Sequence, residues 1–396
     1  MGSGRVRLMV KFIMVSLVLV TLVAGPAGYQ SIAADQSNSL KIGVLAPETG
    51  FGAPWAAEGL AGLKVAEEEI KSLGGVNGVP VEFIVYDTAT RPQEAIQMMN
   101  KLIYTDKVLT IIGPSTSSEC EVCFPIAVRG QTSCVGLLSA KPGLSARFRP
   151  WAFRNTLSSD KIYGPLIKKW AKENNVKTAA IIYDQKSAFT KADGEKVFPI
   201  ALKMAGVEVL GSIPFMTGDM DFSAQITKIK MLKPDGLILS AFSKEGGLIA
   251  RECKKQGLNV PMVAGLDCMA QDFVAVGGSA TEGVWLAHSY WQDNPDPKFQ
   301  AFMKKAKAFL GDKEPGLNAA RYYDDAMINY QLMKTMGVTN KPEDLAANRE
   351  KIRKGWETLK DFPGIEGEIT MNKNGDGEKT TYLFVIKNGK YVRIPK

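Results

Sequence analysis

The chain has 396 residues, a formal net charge of +8, five cysteines and one histidine. One histidine excludes a histidine-rich metal site and a catalytic histidine pair. The basic residues are interspersed with acidic ones, which argues against a nucleic-acid track. Five cysteines are too few for a disulfide scaffold, so we expect buried thiols or one structural bridge. A chain of this length exceeds a single comfortable core, and two domains are expected.

The first residues have the pattern of a secretory signal. Basic residues precede an apolar run over 12–24, and small residues follow as far as Ala33 and Ala34. The run is shorter than the roughly 20 residues of a membrane span. We expect a signal peptide over 1–33, removed without a lipid anchor because no cysteine lies near the cleavage point. The mature protein is expected to be soluble and exported.

Strand-like runs alternate with helical patterns from residue 40 onward. The first series has predicted strands at 40–46, 81–87, 108–112 and 133–138 and helices at 57–73, 92–105 and 117–130. The second has strands at 178–184, 208–215, 236–240 and 260–264 and helices at 160–175, 193–206, 221–232 and 245–257. Two such series predict an α/β fold of two parallel-sheet domains.

The tail of the chain changes character. Helical patterns are predicted at 297–310, 319–335 and 345–359, followed by a hairpin-like segment at 367–394. The chain is therefore expected to return to the first domain before it ends, with crossings near 155–160, 285–292 and 362–372. The expected lobes are 39–157 plus 290–364 and 158–289 plus 365–396. The only histidine, His288, lies in a strand-like run and is interpreted as structural.

A run of hydroxyls follows the third predicted strand. The strand ends at Gly113-Pro114, and Ser115, Thr116, Ser117 and Ser118 come next, where a helix begins. The unpaired N–H groups and positive dipole end of a helix favour an anion. Because no lysine is present, a small carboxylate suits this position better than a polyphosphate. The alternative interpretation is that one serine simply caps the helix.

Two other patterns point elsewhere but fail in detail. Gly50-Phe51-Gly52 follows a strand as in a dinucleotide site, yet Trp55 replaces the third glycine and Asp87 lies too far along the chain. Asn372–Gly377 resembles the start of a calcium loop, but its twelfth position is Leu383 instead of glutamate. A hairpin turn is the preferred interpretation of the second pattern.

Ligands of parallel sheets bind at the carboxyl ends of the strands, so two facing sheets predict a cleft between them. Several segments around that cleft resemble the periplasmic leucine/isoleucine/valine-binding family, the type I solute receptors of ABC transporters. They are Lys41–Leu45, Glu48-Thr-Gly50 leading to Trp55 and Gly62, Asp87, Ile112-Gly113, Pro142–Ser145, Asp221-Phe222-Ser223 and Glu282-Gly283. The resemblance extends from Leu40 to the C-terminus.

The resemblance implies two doubly wound parallel-sheet lobes joined by a three-segment hinge. It also implies a periplasmic, monomeric, non-enzymatic receptor that closes around a ligand and presents it to a membrane permease, with no cofactor, metal or nucleic-acid partner. The candidate ligand-binding residues are Trp55, Ser115, Ser117, Leu138, Ser139, Ala140, Phe189, Phe242, Leu266 and Asp267. In the family pattern, Trp55 covers the ligand's apolar part and Ser117 binds its carboxylate.

Three departures from the family bear on the ligand. Ala140 replaces a usual threonine, and Phe189 and Phe242 stand where tyrosines are frequent. Leu266 occupies the position of the acid that receives an amino acid's ammonium, so that charge is either supplied by Asp267 beside it, through a small backbone shift, or absent. A branched-chain or other apolar amino acid is the first choice of ligand. The alternatives are an aromatic or aliphatic carboxylate lacking an amine, or a sensory role for the same fold.

Overall fold

A computed structural model describes residues 39–395, so the expected signal peptide lies outside the described residues. The described strands are β1 Leu40–Ala46, β2 Val81–Asp87, β3 Thr110–Ile112, β4 Ser133–Gly136, β5 Ala152–Arg154, β6 Thr178–Asp184, β7 Glu208–Phe215, β8 Gly236–Ser240, β9 Met262–Ala264, β10 Trp285–His288, β11 Phe362–Gly364, β12 Gly367–Met371, β13 Gly377–Glu378, β14 Tyr382–Lys387 and β15 Lys390–Ile394. The described α-helices are α1 Ala53–Ser72, α2 Pro92–Asn100, α3 Ser117–Arg129, α4 Ser159–Glu173, α5 Ala188–Ala192, α6 Phe198–Met204, α7 Ser223–Leu232, α8 Ser243–Lys255, α9 Gln271–Gly277, α10 Pro297–Lys307, α11 Leu317–Thr335 and α12 Leu345–Glu357.

The first lobe is built on a five-stranded parallel sheet. Its strand order is β2-β1-β3-β4-β5, so β2 and β3 lie on opposite sides of β1 and the direction of strand addition reverses there. Residues of α1, α10, α11 and α12 form an apolar core on one face of the sheet. Residues of α2 and α3 form a second core on the other face. Burial on both faces explains why these strands read as continuous apolar runs in the sequence.

The second lobe is built on a seven-stranded sheet with the order β15-β14-β10-β9-β8-β6-β7. Strands β6 to β10 pair in parallel, while β14 and β15 are antiparallel additions at one edge. Helices α4 and α6 cover one face, and α7, α8 and α9 cover the other. Both lobes therefore have the predicted doubly wound α/β architecture.

The lobes are connected by three crossings of the chain. Phe153 lies in the first core and Leu157 in the second, and the chain returns between β10 and Tyr290. Ile369 and Met371 are buried in the first core, although the sequence predicted a crossing at 362–372. We therefore propose that the third crossing lies between β13 and β14 and that 365–378 belongs to the first lobe.

Two contacts hold α1 against α11 and so fix the start of α1. A Cβ on Gly62 would lie 2.0 Å from the carbonyl oxygen of Ala319, so only glycine allows this approach of the helices. The Glu58 carboxylate accepts hydrogen bonds from the N–H groups of Asn318 (2.8 Å) and Ala319 (3.3 Å). Glu58 thereby caps α11 from a neighbouring helix.

Most predicted elements lie within a few residues of the observed ones, but some local features differ. The short strands β5 and β11 were not predicted, and neither was helix α9. The single predicted hairpin is two hairpins in different sheets, β12–β13 and β14–β15. The segment that resembled a calcium loop is the turn between β12 and β13, as preferred. All five cysteines are buried and free, as expected for buried thiols.

Candidate functional site

The hydroxyl run lies where β3 ends and α3 begins. Thr116 is the N-cap of α3, because its hydroxyl accepts from the N–H of Glu119 while the Glu119 carboxylate accepts from the N–H of Thr116 at 2.9 Å. A threonine rather than a serine therefore caps the helix. Within residues 39–395, the N–H groups of Ser117 and Ser118 have no hydrogen-bond acceptor. The start of α3 thus keeps two donors for an anion.

Ser117 meets the segment that follows β4. Its hydroxyl oxygen lies 2.8 Å from that of Ser139, and both side chains are buried. The N–H of Leu138 donates to the carbonyl of Ser115 at 3.2 Å. The Ser115 hydroxyl itself has no hydrogen-bond partner among the described residues. Two hydroxyl-bearing segments are therefore held side by side at the carboxyl ends of β3 and β4.

A buried ion pair holds the segment that carries Ser139. The Arg154 guanidinium donates to the carbonyl of Ser139 at 3.0 Å and to that of Lys141. The same guanidinium pairs with Asp376 at 2.6 Å, and the hydroxyl of Ser145 also donates to Asp376. The backbone of Ser139 is therefore held by a charge-assisted hydrogen bond from Arg154 to its carbonyl.

Three aromatic rings meet across the cleft. Phe51 and Trp55 belong to the first lobe, and Phe242 precedes α8 in the second. The ring centroids of Phe51 and Trp55 lie 5.3 Å apart, those of Phe51 and Phe242 5.6 Å apart, and those of Trp55 and Phe242 6.0 Å apart. Trp55 and Phe242 are half-buried. These distances suit attractive edge and tilted ring pairs.

Asp87, at the end of β2, holds the loop that carries Phe51. Its carboxylate accepts from the N–H (3.1 Å) and hydroxyl (2.5 Å) of Thr49 and from the N–H of Ala89 (2.7 Å). Burial opposes ionisation of Asp87, but these hydrogen bonds outweigh it and lower the pKa of the carboxyl. The loop before α1 is therefore anchored to the sheet by a charged residue.

The second-lobe wall contains the other apolar candidates. Ala140, Phe189 and Leu266 are buried in the same core of this lobe. The N–H of Leu266 donates to the hydroxyl of Tyr163 at 3.0 Å, which fixes the loop after β9. The Tyr163 ring stacks on another aromatic ring inside the core. The wall therefore combines an apolar surface with a rigid backbone.

Asp267 is the polar exception on this wall. It is half-buried, and its Oδ2 atom has no hydrogen-bond partner among the described residues. Burial and the negative charge of Asp184 raise the pKa of Asp267 to about 7, while the positive charge of Arg321 acts against this rise. Arg321 belongs to the first lobe, so the ionisation of Asp267 responds to groups of both lobes. An unpartnered carboxylate oxygen in such a place can accept a cation.

A second acid, Asp193, is buried behind the wall. Its Oδ1 accepts from the hydroxyl of Ser159 at 2.6 Å, and its Oδ2 has no partner in the described part of the chain. Burial raises the pKa of Asp193 well above its usual value, because the surrounding core disfavours the charged carboxylate.

The crossings between the lobes meet at Arg321. Its guanidinium donates to the hydroxyl of Thr156 at 2.8 Å in the first crossing and to that of Ser289 at 3.4 Å in the second. It pairs at 3.3 Å with Glu366, which also pairs with Lys379 between β13 and β14. Burial opposes ionisation of Glu366, but the two cations hold its pKa at about 2. The hinge is thus organised around one buried guanidinium.

The structure places the candidate residues in three groups. Trp55 meets Phe242, and the serines and Leu138 meet at the ends of β3 and β4. Ala140, Phe189 and Leu266 share the second-lobe core. Their contact with a ligand stays a prediction, as does a direct role for Asp267.

Sequence reasoning missed Phe51 and Arg321. The available signal for Phe51 was an aromatic between two glycines in a loop after the first strand. Arg321 had no comparable signal, because its partner Thr156 lies 165 residues away in the chain. No helix within residues 39–395 is both long and apolar enough to cross a membrane.

Comparison with known proteins gives a consistent family. A family model described as periplasmic binding protein matches residues 39–390. The leucine-, isoleucine-, valine-, threonine- and alanine-binding protein of Pseudomonas aeruginosa is 30% identical to this chain over 290 residues. That alignment covers 72% of this chain and 74% of the relative.

Solved structures give the same result for the fold. A leucine-binding protein from Thermotoga maritima superposes with a TM-score of 0.80 at 25% identity, covering 90% of this chain and 98% of that one. A solute-binding protein of an ABC transporter from Rhodopseudomonas palustris, solved in complex with 3,4-dihydroxybenzoic acid, has a TM-score of 0.77 at 21% identity. It covers 90% of this chain and 96% of that one, and at this identity the likeness concerns the fold alone.

Proposed function

The chain belongs to the periplasmic binding protein family, and from that premise we propose that it is the extracytoplasmic receptor of an ABC importer. The family consists of solute receptors and not of enzymes. The proposed ligand is a small carboxylate, with a branched-chain or other apolar amino acid as first choice. The proposed partner is a membrane permease that recognises the closed, monomeric receptor in the periplasm.

One observation carries the carboxylate. The two free N–H groups at the start of α3 lie beside the paired hydroxyls of Ser117 and Ser139, and the rings of Trp55 and Phe242 meet between the two lobes. Hydrogen-bond donors at a helix N-terminus stabilise a negative charge, and aromatic rings cover an apolar group. A molecule with a carboxylate at one end and an apolar body at the other satisfies both.

The amine of the ligand is a separate question, which depends on Asp267. Its unpartnered oxygen supports an ammonium group, since a buried acid beside a cation gains a charge-assisted hydrogen bond. Phe189 and Leu266 favour the opposite choice, because they make the surrounding wall apolar. We favour the amine-bearing ligand, because a deaminated acid leaves the Asp267 carboxyl without a partner.

A thermal-shift panel tests both parts of the proposal. A ligand at 100 times its dissociation constant stabilises the folded protein by about 2.7 kcal/mol. The panel pairs leucine with 4-methylvalerate and phenylalanine with 3-phenylpropionate, and adds benzoate and small amides. We expect the amine-bearing member of each pair to give the larger shift. The absence of a shift with every carboxylate would contradict the receptor function.

The second candidate ligand class is an aromatic or aliphatic acid without an amine. The apolar side chains of Phe189 and Phe242 at positions where tyrosines are frequent in the family favour it. In that case benzoate or 3-phenylpropionate gives the largest shift and leucine gives none. A sensory receptor of the same fold is distinguished by its genetic neighbours, since a transporter requires permease and ATPase genes beside it.

A further inference from the structure

The two lobes contact each other directly beside the proposed ligand site. The Ser118 hydroxyl, on the first turn of α3, accepts a hydrogen bond from the N–H of Ala188 at 3.3 Å. Ser118 belongs to the first lobe and Ala188 is the first residue of α5 in the second. Neither residue lies in a crossing segment. The bond therefore exists only while the lobes are together.

A second contact of the same kind is aromatic. The ring of Phe51 lies 5.6 Å from that of Phe242 in the opposite lobe, between centroids. Phe51 remains 52% exposed, so it lies on the solvent side of the aromatic group. Separation of the lobes would remove its contact with Phe242 and expose it further. The contact between Phe51 and Phe242 thus stabilises the state in which the two lobes are together.

We propose that Ser118 and Phe51 form a latch that holds the lobes together and slows ligand release. The proposal rests on the proposed function, in which closure retains the ligand. A contact made only in the closed state shifts the equilibrium towards that state, and its loss increases the apparent dissociation constant. The latch differs from Ser117 and Trp55, whose proposed partner is the ligand itself.

The hydrogen bond of the latch can be removed by a substitution in either lobe. Ser118→Ala removes the acceptor. Ala188→Pro removes the donor, and proline is tolerated there because Ala188 is the first helical residue and Ser187 before it has extended dihedrals (φ −78°, ψ 131°). Ser187 keeps its capping bonds to the next two N–H groups, so α5 should still form.

The first experiment measures the release rate of L-leucine by stopped-flow fluorescence. Ser118→Ala and Ala188→Pro should each increase the release rate about two- to tenfold. The double variant should release no faster than the single ones, because both remove the same bond. Phe51→Ala should increase the release rate by a similar factor.

The control variant is Phe309→Ala, which removes an exposed ring that contacts Lys64 and should leave the release rate unchanged. Unchanged release in the latch variants, or additive effects of Ser118→Ala and Ala188→Pro, would overturn the polar latch.

The second experiment detects the contact between the lobes without a ligand and then tests the response to leucine separately. A variant with both Ser118→Cys and Ala188→Cys is oxidised mildly with diamide, and the crosslinked peptides are identified by mass spectrometry. The native cysteines are buried and should not compete for the oxidant, so a crosslink between positions 118 and 188 is expected. The crosslinked variant should have a smaller radius of gyration by X-ray scattering than the same variant in its reduced form. No crosslink would overturn the contact between the lobes. If the crosslink forms but leucine gives no thermal shift, the result would support the latch contact and count against leucine as the ligand.

Discussion

The hydroxyl oxygens of Ser117 and Ser139 lie 2.8 Å apart at the ends of two adjacent parallel strands. The pair can bind a carboxylate together, because one hydroxyl can donate to the other while that one donates to the ligand. The free N–H groups at the start of α3 complete a site with several donors.

Ser117→Ala should therefore weaken ligand binding without unfolding the protein. A hydrogen bond to a charged group contributes about 1.5–3 kcal/mol, so the dissociation constant should rise about 10- to 150-fold. Titration calorimetry with the strongest ligand of the panel measures this change. Ser72→Ala, an exposed serine of α1, is the matched control and should bind normally. An unchanged dissociation constant in Ser117→Ala would remove Ser117 from the site.

Trp55→Ala should weaken binding and reduce the fluorescence response to ligand. Trp55 is half-buried beside Phe51 and Phe242, and its loss removes an aromatic surface from the cleft. A buried aromatic anchor contributes about 2 kcal/mol or more. Tryptophan emission measures the response, although the protein has six tryptophans. Normal affinity in the variant would show that Trp55 is only part of the packing.

Gly62→Ala should destabilise the protein, because the new Cβ would lie 2.0 Å from the backbone carbonyl of Ala319. The helices α1 and α11 must separate to admit it, at a cost of about 1–3 kcal/mol. The control is Glu67→Ala, a substitution of an exposed residue in the same helix α1. Its stability should change by less than about 1 kcal/mol. Chemical denaturation of both variants provides the comparison, and equal stabilities would contradict the close-packing argument.

The sequence predicts the fold well because the two sheets are buried on both faces. Such strands read as short apolar runs, as in 178–184, and the helices between them are amphipathic. Short elements were missed because three residues, as in Ala152–Arg154 of β5, are too few to show a distinct pattern. The third crossing that we propose lies later than the predicted one, because nothing in the local sequence indicates that Ile369 packs in the first core.

The parts of the candidate site that lie directly after the ends of strands could be predicted from the sequence. Ser117 and Ser139 could be placed together because β3 and β4 are neighbours in a parallel sheet. The contacts across the cleft could not be derived, since the hydrogen bond between Ser118 and Ala188 depends on the hinge angle and not on any local pattern. The same holds for Arg321, whose partners come from distant parts of the chain.

His288 should make the protein less stable as the pH falls. Burial, together with the positive charges of Arg321 and Lys379, lowers its pKa from 6.5 to about 3. The unfolded chain therefore binds more protons between pH 6.5 and 3, and stability is lost over that interval as the pH decreases, by up to about 1.4 kcal/mol per pH unit. His288→Asn can keep the acceptor for the N–H of Tyr290 without titrating. The variant should show a smaller loss of denaturation free energy between about pH 6.5 and 4.5, and an equal loss would show that His288 is not the group responsible.

Asp267 should make the affinity for leucine depend on pH, but not the affinity for 4-methylvalerate. Burial and the charge of Asp184 raise the pKa of Asp267 to about 7 in the ligand-free protein. A bound ammonium favours the ionised carboxylate, so binding below pH 7 must release a proton. The affinity for leucine should therefore rise up to about tenfold per pH unit as the pH increases from about 5.5 to 7, and level off above.

The matched variant separates this effect from other titrating groups. Asp267→Asn cannot ionise, so it should lose both the preference for leucine over 4-methylvalerate and the rise in leucine affinity with pH. Asp272→Asn, a nearby exposed acid at the start of α9, should retain both. Calorimetry in two buffers of different ionisation enthalpy measures the released proton directly. If Asp267→Asn binds leucine with unchanged affinity and unchanged pH dependence, the ammonium does not contact this carboxylate, and the apolar wall of Phe189 and Leu266 would then favour a ligand without an amine.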